Sequence, residues 1–191
     1  MATSSDSPET RPACTVAELS LILRAPSSNG ILMFPQNNCD EVWPRLYVGN
    51  GAIAKNIAGL KNLRITHVLN TSQGKKFAHV DTNQDYYKAS GIIFKGIPAT
   101  DVANFKILPF WEETGEFIDS ALSQEGSKVL VHCFQGYSRS SSTVIAYLMM
   151  YHGMTAQEAT RTVRAKREIG PNDGFLRQLC QLNEKLLKDR K

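Results

Sequence analysis

The sequence is short of everything that would staple it, anchor it or carry it across a membrane. Its four cysteines, Cys14, Cys39, Cys133 and Cys180, stand far apart and form no C-x-x-C pair. That spacing excludes a dense disulfide framework and argues against a structural zinc site. The histidines, His67, His79, His132 and His152, are equally scattered. The longest early apolar run, LSLIL, falls far below the roughly 20 residues a membrane-spanning helix needs. The opening MATSSDSPETRPAC holds no apolar signal core, and Ala2 excludes N-myristoylation. No basic stripe interleaved with aromatics is present, and a net charge of +4 is too small to argue for nucleic acid. Internal repeats and coiled-coil heptads are absent as well. The expectation is a protein of a reducing compartment, cytoplasm or nucleus, that engages neither nucleic acid nor membrane.

What is there fits one globular domain. The chain has 191 residues, 42% of them hydrophobic, enough to build a core. Residues 1 to about 14 are rich in Ser, Thr and Pro and read as a disordered tail. Thr15 and Glu18 match a capping box and predict a short helix over residues 16–24, followed by the loop APSSNG. Residues 1–30 therefore read as an N-terminal extension and 31–191 as the folded unit, with its core starting near Asn38. From there strands and helices alternate. Residues 45–49, 65–70, 92–97 and 128–133 read as strands. Residues 52–62, 83–90, a segment opened by Pro109, 140–151, 156–167 and a last stretch from Asn172 read as helices. The implied fold is α/β, a mostly parallel central sheet flanked by helices. Ligands bind such sheets beyond the C-terminal ends of the strands. Cys133 stands at one such end.

The stretch VLVHCFQGYSRSSSTVIAYLMM carries the chemistry. Between Cys133 and the helix, Phe134, Gln135, Gly136, Tyr137 and Ser138 must turn the chain back on itself. Gly136 permits a backbone conformation that a side chain resists. Successive amides then point into the turn, and the positive end of the next helix adds to their field. Arg139 supplies a planar two-pronged donor matched to a tetrahedral oxyanion. A cysteine in that field is expected to ionise near neutrality. The chemistry implied is attack of the thiolate on phosphorus, with hydrolysis of the resulting phosphocysteine by water. Ser140 is placed to hydrogen-bond the sulfur, and His132 to orient the loop or bias the thiol. Since Arg139 and the amides already neutralise a phosphate, no metal or other cofactor is called for.

HCFQGYSRS resembles the H-C-x-x-G-x-S-R-S loop of cysteine-dependent protein phosphatases of the dual-specificity subgroup. DEVWPRLYVGN, ITHVLN, TVIAYLMM and REIGPNDGFLRQLCQLN extend the resemblance over about residues 38–187. They point to the small atypical dual-specificity phosphatases of the vaccinia-phosphatase-related (VHR) type. The resemblance implies a protein-tyrosine-phosphatase-like fold and a catalytic domain over 31–191. It also implies hydrolysis of phosphotyrosine and of phosphoserine or phosphothreonine in protein substrates, mitogen-activated protein kinases among the candidates. The leaving group needs a proton. Asp101, just beyond the strand ending at Ile97, is the best-placed donor and matches the family's acid. Asp81, Asp85 and Asp173 sit before or in helices, where carboxylates act as caps. Arg161, Arg164, Lys166 and Arg167 read as a solvated basic face, except that Arg167 resembles the residue that contacts a second phosphate in the VHR type. Phe134, Gln135 and Ser141 depart from that type. The uncharged pair at 134 and 135 argues against an inositol phospholipid substrate. A non-catalytic phosphoprotein-binding module and a rhodanese-like sulfur transferase are the alternatives, and Cys133, Arg139 and Asp101 together favour phosphate hydrolysis.

Overall fold

The computed structural model describes residues 14–26 and 34–189. Of the tail expected over residues 1 to about 14, residues 1–13 lie outside the described residues, as does most of the APSSNG loop, while Cys14 is buried in the core. The first helix, α1 (Val16–Arg24), begins where the capping box predicts. Thr15 Oγ1 accepts from the Glu18 amide while the Glu18 carboxylate accepts from the Thr15 amide. Two strands follow, β1 (Cys39–Trp43) and β2 (Leu46–Gly49), paired antiparallel. Then come two short helices, α2 (Gly51–Lys55) and α3 (Ile57–Asn62), strand β3 (His67–Asn70), helix α4 (Gln84–Tyr87) and strand β4 (Ile93–Gly96). Helix α5 (Trp111–Leu122) leads to strand β5 (Val129–His132), which feeds α6 (Arg139–Tyr151). Helices α7 (Ala156–Arg164) and α8 (Asp173–Asp189) close the chain.

The sheet order is β1-β2-β5-β3-β4, and every pairing except β1–β2 is parallel. The last strand in sequence, β5, thus takes the centre. Alternation assigns the two faces of the sheet. Leu46, Val48, Leu69, Val129 and Val131 enter the larger core with α1, α5, α6, α7 and α8. Tyr47, Val68 and Leu130 enter the smaller core with α2, α3 and Tyr87 of α4.

Helix α6 runs through the larger core, and residues 139–149 are all buried. Two of its buried hydroxyls donate back to carbonyls one turn earlier. Ser142 Oγ donates to the Ser138 carbonyl at 2.7 Å and Thr143 Oγ1 to the Arg139 carbonyl at 3.0 Å. Sequence patterning does not anticipate β1, whose residues CDEVW are mostly half-buried and do not alternate cleanly. The helix expected over 52–62 is divided at Asn56, whose side chain instead caps α3 by accepting from the Gly59 amide. A 3-10 turn over Leu108–Phe110 precedes α5, so Pro109 initiates that turn rather than the α-helix.

The short helix of the N-terminal segment is not peripheral. Leu19 is fully buried in the larger core, and α1 packs on α7 and α8. Leu19→Ala should therefore cost about 2–5 kcal/mol. Urea unfolding of the variant measures this, and a loss under about 0.5 kcal/mol, typical of surface changes, would show α1 to be dispensable.

Candidate active site

The parallel strands β2, β3 and β5 end level with one another, with Gly49, His132 and Asn70 in register. Cys133 follows β5 at that edge, so the sheet delivers it to the carboxyl-end crevice. The loop from Cys133 to Arg139 is then held in shape from several sides. Gly51 N–H donates to the Phe134 carbonyl at 3.1 Å, and Gly170 N–H to the Tyr137 carbonyl at 3.0 Å. Gly136 has φ 65°, and a Cβ there would lie 2.5 Å from the Gly49 carbonyl. Both the backbone angle and the space require glycine.

Cys133 is almost fully buried. Its sulfur accepts from the Gly136 amide at 3.2 Å and from Ser140 Oγ at 3.4 Å. Burial pushes the thiol pKa up. The Arg139 charge, the Ser140 hydroxyl and the amides of Ser140 and Tyr137 pull it down, and the net result lies below the ordinary value of 9.0. His132 behaves in the opposite way. Burial lowers its pKa to about 4, assisted by Arg139 and Lys55 and opposed by the Cys133 carbonyl, so the ring is neutral. Its Nδ1 lies 3.4 Å from that carbonyl, which can only accept, so the proton belongs on Nδ1.

Arg139 is gripped by two backbone carbonyls. One terminal nitrogen, Nη1, donates to Ala99 at 3.1 Å and the other, Nη2, to Ala78 at 2.9 Å. Ala78 itself has φ 56°, part of the local turn that presents its carbonyl. Nε is buried with no hydrogen bond among the described residues, although Asp101 Oδ2 lies 3.5 Å away. Of five N–H donors, two are committed and three remain, which leaves the fork able to meet an oxyanion.

Asp101 stands in the loop after β4, with its side chain 31% exposed. Its Oδ1 accepts from Ser138 Oγ and from Asn172 Nδ2, each at 2.8 Å. Asn172 also donates its amide to Ser138 Oγ and accepts from the Phe175 amide through Oδ1. One asparagine thus caps α8, holds the carboxylate and touches the cysteine loop. Gln178 of α8 secures the far end of the Asp101 loop, accepting from the Ile107 and Leu108 amides and donating to the Phe105 carbonyl. Between them, Gly174 lies so close to Ala103 that a Cβ would overlap its carbonyl.

Most of the residues singled out in the sequence meet here: Cys133, Ser140, Arg139, Asp101, His132, Gly136 and Ser138. Tyr137 is half-buried, its ring 5.5 Å from that of Phe34. Phe134 and Gln135 are exposed at the rim.

Arg167 requires a correction. It is not on the substrate side, since its side chain has no exposed surface. Nε donates to the Gly136 carbonyl at 2.9 Å, and Nη1 meets Asp40 Oδ2 at 2.6 Å and the Asn37 carbonyl at 3.0 Å. It braces the loop from behind. Arg164 is likewise buried, paired with Glu168 at 2.7 Å, so only Arg161 and Lys166 fit the solvated basic face. Sequence reasoning missed Asn172, Ala99, Ala78 and Asp40. Asn172 lies inside the quoted REIGPN stretch and signalled only a helix start, while the carbonyl and Asp40 contacts leave no sequence pattern.

Alkylation of Cys133 by iodoacetate follows the thiolate, so its rate should reach half its plateau below pH 9.0. Arg139→Met should move that midpoint upward, and Ser140→Ala should move it the same way by a smaller step. A midpoint unchanged by Arg139→Met would remove the guanidinium as the source of the shift.

The comparisons with known proteins agree with this geometry. The family model of the dual specificity phosphatase catalytic domain matches residues 46–185. Human tyrosine phosphatase-like serine/threonine/tyrosine-interacting protein is 30% identical, with a TM-score of 0.64 over 78% of this chain and 97% of its own. The Yvh1 phosphatase domain from Chaetomium thermophilum is 29% identical, with a TM-score of 0.61 over 80% of this chain and 95% of its own. DUSP15 is 28% identical, with a TM-score of 0.65 over 80% and 97% respectively. The family model spans well over half of the sequence, and the chain belongs to the small atypical dual-specificity phosphatases, cysteine-based enzymes that hydrolyse phosphate from proteins.

Proposed function

We propose that this phosphatase works through a phosphocysteine intermediate formed on Cys133. The observation that carries the reading is the buried sulfur with its converging donors, from Gly136 and Ser140, beside a guanidinium whose Nε has no hydrogen bond. The substrate phosphate takes its place in the loop, its oxygens facing the amides and the free N–H groups of Arg139. The thiolate attacks phosphorus, forming the S–P bond as the P–O bond to the substrate breaks. Asp101, protonated for this step, gives its proton to the departing oxygen. Water then attacks phosphorus, losing its proton to the Asp101 carboxylate, and the S–P bond breaks. Ser140 Oγ stabilises the sulfur as it leaves with the electron pair. Inorganic phosphate is released and the thiolate is restored.

Ser138 and Asn172 give Asp101 its place in this scheme. Both hydrogen bonds fall on Oδ1, leaving Oδ2 as the oxygen that carries and receives the proton. Phe134 and Gln135, exposed and uncharged, line a rim suited to a peptide rather than to a headgroup with several phosphates. Mitogen-activated protein kinases, with their doubly phosphorylated Thr-x-Tyr segments, remain our proposed substrates on the resemblance to the VHR type. Arg167 lends that choice no support. Among the described residues all four cysteines are free, which suits the proposed cytoplasmic or nuclear setting.

Asp101→Asn should lower turnover of a poor leaving group, such as a phosphoserine peptide, by about 10²–10⁴. A nitrophenyl phosphate, whose leaving group needs no proton, should be far less affected. A trapped phosphoenzyme in rapid-quench experiments should be lost in Cys133→Ser. Equal losses on both substrates would take Asp101 out of the acid role, and failure to trap phosphate on Cys133 would sink the covalent route.

The Arg167 brace makes a separate prediction. Arg167→Met should reduce kcat/KM for a simple aryl phosphate and for a doubly phosphorylated peptide by the same factor, up to about 10²-fold for a misplaced loop. A selective loss on the doubly phosphorylated peptide would restore Arg167 to the substrate side.

A further inference from the structure

Two cysteines that make no contact with the cysteine loop lie against each other in the larger core. Cys14 immediately precedes Thr15, the N-cap of α1, and Cys180 sits in α8, 166 positions later. Both are buried, at 5% and 8% exposure, and their sulfurs are 2.6 Å apart. An S–S bond is about 2.05 Å long, so the helices need almost no movement to be joined. Either sulfur can donate to the other. Whichever thiol ionises is the nucleophilic sulfur, and the other is its proton donor.

The pair would join a helix that already packs on the core. Leu19 is fully buried, and Val16, Ile22 and Leu23 pack partly buried against the same core. Arg164 donates to the Leu23 and Ala25 carbonyls, and Gln157 reaches Glu18 at 3.4 Å.

We propose that Cys14 and Cys180 form a reversible, peroxide-responsive cross-link that fastens α1 to α8. One of the two, as its thiolate, attacks hydrogen peroxide, breaking the O–O bond and forming a sulfenic acid, while the departing hydroxide takes a proton and becomes water. The sulfur of the other thiol then attacks the sulfenic sulfur, the S–S bond forms, and the sulfenic oxygen leaves with the thiol proton as a second water. Two thiols lose two electrons in all, and one peroxide gains them. A cellular dithiol reverses the reaction. The closed loop includes nearly the whole folded chain, so the bond restricts the unfolded ensemble strongly.

The test uses the full reduced chain treated with graded hydrogen peroxide, with remaining thiols then alkylated in denaturant and peptides mapped without reduction. A peptide joining Cys14 to Cys180 is expected. Tm should rise by on the order of 10 °C and fall back with dithiothreitol. The rise should be absent in Cys14→Ala and in Cys180→Ala but kept in Cys39→Ala. Both thiols still alkylated after Cys133 has been fully oxidised would overturn the proposal. So would a cross-link that leaves Tm unchanged. Neither result bears on the phosphate chemistry of Cys133, because the peptide map reads the pair directly.

Discussion

A thiol with almost no access to water, yet held below its ordinary pKa, is the constraint around which the molecule is organised. Burial alone drives the Cys133 thiol towards its neutral form. The protein overcomes this with a fixed cation and aligned N–H groups, and those must themselves be kept in place. Hence the grip of the Ala99 and Ala78 carbonyls on Arg139, and of Gly51, Gly170 and Arg167 on the loop backbone. The donors that lower the thiol pKa are also of the kind that hold a phosphate. On the proposed mechanism, one arrangement both prepares the nucleophile and selects what it meets.

The partner carboxylate is held by the same framework. Asp101 reaches the site from β4, on the outer edge of the sheet, while the cysteine loop springs from β5 at its centre. Helix α8 couples the two. Asn172 at its start bonds Asp101 and Ser138, and Gln178 one turn and a half further anchors the end of the Asp101 loop. Ser141, a departure from the VHR type, belongs to this framework. Its hydroxyl donates to the Tyr137 carbonyl at 2.5 Å and the Ser138 carbonyl at 3.0 Å, tying the cysteine loop to the first turn of α6. The departure thus alters how the loop is fastened rather than what lines it.

Local patterning made the main elements legible. The capping boxes at Thr15 and Thr155 start α1 and α7 where expected, because the reciprocal bonds involve residues only three apart. Four of the five strands, β2 to β5, were visible as apolar runs. Misreadings arose where a side chain had a choice of partners. Asn56 interrupts what reads as one helix because its amide caps the next. Arg167 has the sequence of an exposed helical arginine, but Asp40, 127 positions earlier, and the Gly136 carbonyl draw it inward.

The sequence by itself determined the chemistry of the loop: which nucleophile, which cation, which glycine and which hydroxyl lie within eight residues of chain. Those relations are local, and the strand before and the helix after them are enough to orient each group. Only the tertiary structure decided what is aimed at that loop and what supports it. The register of β2, β3 and β5 brings their ends level, α8 ties Asp101 to Ser138, and Asp40 turns Arg167 from a substrate contact into a brace. Contacts of this kind join residues tens to more than a hundred positions apart. They leave no periodicity to read, because distance in space there is set by packing around β5 and α6 and not by spacing along the chain.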